Sequence, residues 1–355
     1  MSKPLHRAGN AEEGFTLVEL LVSVGLITLI ALLLASMTNA TASTWRYTTG
    51  RIEQFRSAEM AFEAVTRRLS QATLNTYWDY DNPAAPRKYV RQSDLRFISG
   101  GMTVGAKKLV TATSPRRPTH GVFFQAPLGF VDDTTNFSGL DNLMNTWGYY
   151  AEFNYETRPQ FIESMSAAIK PPNRWRYRLM ELMQPSNGLS IYRFTSSNLA
   201  YAGRDWFTTS LPAATQPPAP LPATPTRVLA ENVVAFVVRP RLSKRDEQTT
   251  GKTLVKGSYY YDSTATLSDP DINPKNQLPP IVEVTMVAID ELSASRLASG
   301  SKLPAFDAQL DSLFVDPAKF DADLAALQTL LTNQRISNRV FTSSVSIRGA
   351  KWSRN

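Results

Sequence analysis

The chain has 355 residues, 43% hydrophobic and 19% charged, a composition that supplies a sizeable core and excludes disorder for most of its length. It holds no cysteine and only two histidines, His6 and His120, which excludes disulfides, thiolate nucleophiles, cysteine-ligated metals and a helical His-Glu-x-x-His zinc site. Lysine and arginine number 38 against 31 acids, a net charge of +7, and because they are scattered rather than blocked they read as solvation.

The first predicted element is an apolar helix. Residues 15–37 carry a single charge, Glu19. At about 1.5 Å per residue the run spans the roughly 30 Å hydrocarbon layer of a bilayer. It exceeds the apolar core of a secretory signal peptide. A carboxylate inside such a segment costs on the order of a few kcal/mol unless it is partnered. No cation lies within the run, so the partner of Glu19 is expected on another chain, or as the free amine of a neighbouring copy.

Gly14-Phe15-Thr16-Leu17-Val18-Glu19, followed at once by the apolar run, resembles the type III signal of prepilins and pseudopilins. The resemblance implies a leader of residues 1–14, cut between Gly14 and Phe15 by a prepilin peptidase that then methylates Phe15. Glu19 becomes the fifth residue of the mature chain, placed to pair with the amine of a neighbouring subunit as helices stack into a filament. Residues 15–37 would be the transmembrane half of a long N-terminal helix. The protein would cross the inner membrane once, with its head in the periplasm, and then join a pilus or pseudopilus at the cell surface. Glu12 and Glu13 stand directly before Gly14, where the family usually has a basic residue, so the positive charge of the leader rests on Lys3, Arg7 and the initiating amine.

Residues 38–44, Thr-Asn-Ala-Thr-Ala-Ser-Thr, are poor helix formers and predict a strained, partly melted or merely exposed helical stretch. Beyond them Phe55, Ala58, Phe62, Val65, Leu69 and Ala72 recur at helical spacing with charges on the other faces, an amphipathic stripe. The amphipathic half is expected over 38–77, packed through Phe55, Phe62, Val65 and Leu69 on a β-rich head of residues 78–355. Strands are predicted at 95–99, 121–125, 147–155, 175–183, 189–194, 232–239, 281–289 and 339–347. Two of these alternate at period two, 175–179 and 282–286. Six prolines in 211–226 predict an exposed loop, and an apolar pattern at helical spacing in 304–335 predicts a helical insertion. The expected fold is therefore α+β: a long helix on an antiparallel sheet.

Several of these stretches also look like the C member of the Verru_Chthon cassette, a set of pilin-like proteins found together in Verrucomicrobia. They are residues 67–78, 229–235, 282–291 and 348–353. The size and layout are more distantly similar to the large J-type minor pseudopilin of type II secretion. The implied partners are the prepilin peptidase and other pilin-like subunits in a homo- or hetero-filament, and the head size points to a tip or initiating complex.

Catalytic motifs do not emerge. No Gly-x-Ser-x-Gly elbow and no phosphate-cradling glycine loop is present, and His120 reads as a turn residue. Asp269-Pro270-Asp271-Ile272-Asn273 has the alternate acids of a calcium loop without its glycine or distal glutamate. Asp79-Asp81 and Asp132-Asp133 are weaker still. The aromatics Tyr149, Tyr150, Tyr155, Trp175, Tyr177 and Tyr259 to Tyr261 read as sheet packing rather than as a stacking surface for nucleic acid. The expectation is a structural subunit that is not an enzyme, with no cofactor, no metal and no nucleic-acid partner. The alternative is a periplasmic binding protein or enzyme that uses the helix only as an anchor.

Overall fold

A computed structural model of the protein describes residues 16–113, 115–137, 139, 143–155, 158–166, 169–193, 204–212, 225–297 and 302–353. The expected leader 1–14, Phe15 and most of the proline-rich loop 211–226 lie outside the described residues. The chain divides into two compact units, Met1–Glu53 and Gln54–Asn355.

The described part of the first unit is helical from Leu17 onward. Helix α1 runs over Leu17–Leu69, and Thr16 caps it, accepting the Glu19 N–H at 3.3 Å through its hydroxyl. Within Leu17–Ala42 no side chain is buried. Of the alternatives expected at 38–44 the exposed helical stretch is the one found: α1 runs through it unbroken, with Thr38 to Thr41 exposed. Thr38, Thr41 and Thr44 donate their hydroxyls to the carbonyls four residues back, at 2.8, 2.8 and 2.9 Å. Their polar groups are thus satisfied along the helix instead of competing with it.

In the second unit the last turns of α1 bury Ala58, Ala61, Phe62, Val65 and Leu69, with half-buried Phe55 packed at the edge of the same core. The helix ends at Leu69, short of the predicted 77. Tertiary hydrogen bonds capture the chain there: the Ser70 carbonyl accepts from Arg348 N–H at 3.0 Å, and Thr73 N–H donates to the Gln125 carbonyl at 2.9 Å.

Eleven strands follow among the described residues: β1 Tyr77–Tyr80, β2 Tyr89–Gln92, β3 Ile98–Gly101, β4 His120–Ala126, β5 Asn145–Tyr155, β6 Trp175–Gln184, β7 Thr226–Glu231, β8 Val233–Arg241, β9 Tyr261–Asp262, β10 Ile281–Ile289 and β11 Asn338–Ser346. They form three antiparallel sheets, ordered β1-β2, β11-β10-β8 and β7-β6-β5-β4-β3-β9. The fold is thus mixed α+β with an N-terminal apolar helix.

One residue routes the chain between the two larger sheets. The predicted strand 232–239 begins one residue early: Asn232 sits at φ 62°, a left-handed conformation that asparagine tolerates better than most residues. β7 therefore ends in the six-stranded sheet and β8 begins in the three-stranded one.

The predicted strand at 189–194 is instead a helical turn, Ser190–Arg193. Leu189 and Ile191 are still buried, but both edges of β6 are already paired, to β5 and β7, so no edge is left there for a strand. The insertion at 304–335 is helical in pieces, at Asp307–Leu310 and Phe320–Asn333. It supplies Phe306, Leu310, Phe314, Leu327 and Leu331 to a second core cluster with Phe153 and Tyr177. β5 and β6 are accordingly buried on both faces rather than on one.

Candidate functional site

Two features stand apart from ordinary packing, one in each unit. The first is the exposed apolar surface of Leu17–Ala42, long and apolar enough to cross a membrane. At about 1.5 Å per residue its 26 residues extend about 39 Å, beyond the roughly 30 Å of hydrocarbon. Each of its leucines, isoleucines and valines gains on the order of 1.5–3 kcal/mol on leaving water, so the surface calls for lipid or other apolar helices. Glu19 lies exposed in its first turn. Gly14 and Phe15 lie outside the described residues.

The second feature is a cleft of about 470 Å³ in the unit Gln54–Asn355, between the last turn of α1, residues 128–130 and the face of β5–β6–β7. Register builds its floor. Tyr149 of β5 stands opposite Glu181 of β6, and Glu181 opposite Arg227 of β7. One step along the strands, Trp147 stands opposite Met183. Side chains at i and i+2 of a strand share a face, so these five form one surface.

Arg68 of α1 lies over it, with its guanidinium 4.4 Å from the Trp147 ring centroid and hydrogen bonds to the Tyr149 hydroxyl at 3.4 Å and to Glu181 Oε1. Arg227 bonds Glu181 Oε2 from the other side. Glu181 is fully buried, which is tenable only because both carboxylate oxygens are paired. Burial alone would lower the affinity of Arg68 for its proton, but Tyr149 and Glu181 outweigh it and raise its pKa further. Burial and the Glu181 charge push the Tyr149 hydroxyl well up, so both stay protonated at any ordinary pH.

The other residues singled out in the sequence fall into structural roles. His120 is not a turn residue. It opens β4, fully buried, with Nε2–H donating to the Phe314 carbonyl at 2.8 Å and Nδ1 accepting from Val238 N–H at 3.2 Å. Burial drives its pKa down to about 4, so the ring is neutral and ties the insertion to two sheets.

The acids of 269–273 surround a cation of the chain's own. Lys252 Nζ donates to Asp269 and Asp271 at 2.8 Å each. Among the described residues no group of acids and histidines is arranged to hold a metal. Tyr149, Tyr150, Tyr177, Tyr259 and Tyr261 are buried, whereas Tyr155, Trp175 and Tyr260 are half-buried. The exposed aromatics of the sheets are Tyr77, Trp78, Tyr80 and Tyr89 of the β1–β2 pair.

The convergence of Arg68, Trp147, Glu181 and Arg227 has no signal in the sequence. These residues are separated by tens of positions, and only the register of three strands brings them together. The one hint was local: Glu181 follows an alternating strand and falls on a face that should be apolar.

No protein-family model, no curated protein and no solved structure matches the chain.

Proposed function

We propose that the chain is a pilin-like minor subunit, made with a leader that ends at Gly14 and assembled through its N-terminal helix into an inner-membrane fibre. The head would face the periplasm before assembly and the cell surface after it. The observation that carries this reading is the combination on α1: a span of Leu17–Ala42 with no buried side chain and an ionisable Glu19 in its first turn. A plain anchor is more stable without that acid. A subunit that must pack helix on helix uses the acid to pair with a neighbour's new N-terminal amine, which neutralises both charges away from water.

The role as tip or initiating subunit draws on the second unit. Its several irregular connections and the helical insertion at 304–335 suit a position with few neighbours better than a closely repeated shaft. A protein found as the most abundant subunit of sheared fibres would belong to the shaft.

The Glu19→Val variant tests the reading in the native host. Insertion into the membrane should be normal or better, and incorporation into fibres should be lost. A variant that functions fully would reduce the helix to an anchor and leave the second unit as a membrane-tethered binding protein or enzyme.

A further inference from the structure

We infer that the cleft beneath the end of α1 binds a carboxylate attached to an apolar group, either a small organic acid or the C-terminus of a peptide. The charge count is the first argument. Arg67, Arg68 and Arg227 line the cleft, and no acid lies among its lining residues. Glu181, the carboxylate that pairs with two of these arginines, is buried behind them. Arg67 is exposed, and its guanidinium forms no hydrogen bond or ion pair with the described residues. Three guanidiniums thus share one negative charge at the mouth of a concave site.

The second argument is pre-organisation. Arg68 cannot swing freely, because Trp147 supports its plane while Tyr149 and Glu181 hold one edge. Its remaining N–H groups, and those of Arg227 beyond Glu181, therefore stay in place without a ligand. A planar guanidinium presents paired donors that match the two oxygens of a carboxylate, and fixed donors bind more tightly than donors that must first be ordered.

The rest of the lining sets the ligand's other end. Ala64, Leu128, Phe130, Trp147 and Met183 make an apolar floor and wall around the arginines. The volume, about 470 Å³, lies within the range of small-molecule sites, roughly 300–1,000 Å³. A phosphate dianion would be drawn by the same arginines, but the apolar lining gives it nothing to pack against. Nothing in this inference depends on the fibre reading, and it would hold equally for an anchored binding protein.

Isothermal titration of the full-length protein in detergent, against empty micelles, tests it with three probes: 4-phenylbutyrate, acetyl-Ala-Ala-Phe with a free C-terminus, and the same peptide as its amide. At least one carboxylate should bind saturably, and the amide at least about tenfold more weakly, the scale of a charge-assisted hydrogen bond. The tighter carboxylate identifies the source, organic acid or chain terminus. Arg67→Ala, which strips no buried partner, should weaken binding about tenfold, with partial recovery in Arg67→Lys. Ala64→Phe should abolish binding by filling the cleft while the melting temperature holds. Equal binding of acid and amide, affinity untouched by Arg67→Ala, or displacement of the acid by equimolar inorganic phosphate would overturn the assignment.

Discussion

Leu17–Ala42 presents leucine, isoleucine and valine outward with none buried, whereas β5 and β6 hold Glu152, Glu181, Arg176 and Arg178 inside. The two regions break the usual partition in opposite directions, and each shows what it needs to be tenable. Beyond its first turn the apolar helix satisfies its backbone groups internally and requires only an apolar surrounding. The buried charges require partners at fixed positions. Arg117 meets Glu152 at 2.8 Å, Arg178 reaches Glu231 at 3.2 Å, and Arg176 reaches Glu291 at 2.7 Å. Substitution in the helix should therefore change where the protein resides, and substitution in the strands should change whether it folds.

The largest expected effect is Arg117→Leu. Glu152 would be left buried without its ion pair; burial already pushes its carboxyl up in pKa, although Arg117 and Asn154 pull it back. Denaturant unfolding should show a loss of about 3–5 kcal/mol, and adding Glu152→Leu should restore most of it. No recovery in the double variant would mean that the pair does more than neutralise itself.

His120 should make stability depend on acid. Its pKa is about 4 in the fold, against 6.5 for an ordinary histidine, so the unfolded chain binds the proton more readily. Stability is complete above pH 6.5 and falls as the pH drops toward 4. The loss approaches about 3 kcal/mol if the ring alone is responsible, at about 1.4 kcal/mol per pH unit. His120→Gln should start less stable and lose this slope. An unchanged slope would place the titration elsewhere.

Ile30→Lys probes the other region. A lysine at the middle of the span costs about 2.5–3.5 kcal/mol of insertion, so extraction by alkaline carbonate should rise sharply. The thermal unfolding of the unit Gln54–Asn355 should not move. The smallest effect expected is Lys252→Met, which removes a half-exposed lysine from Asp269 and Asp271. Surface pairs of this kind are screened by water and contribute little, and calorimetry should find the melting temperature unchanged.

The contrast also marks how far the sequence could be read. The apolar helix is legible because one requirement, an apolar side chain at nearly every position, runs along its whole length. β10 falls on the predicted 281–289, since Val282, Val284 and Met286 alternate against a covered face. β1 and β2 were missed: with all of Tyr77–Tyr80 exposed there is no buried side to print an alternation. β7 prints no clear alternation either, since only Thr226 and Ala230 of its six residues are buried. The cleft was illegible for a related reason: Glu181 acquires its meaning only when Tyr149 and Arg227 flank it across the strands.

The most direct test of the proposed assembly role is the mass of the protein purified from membranes of cells with an active prepilin peptidase. The mature chain should begin at Phe15, carry one added methyl group on its amine, and lack residues 1–14. An intact leader, or a cut anywhere other than between Gly14 and Phe15, would contradict the pilin-like assignment.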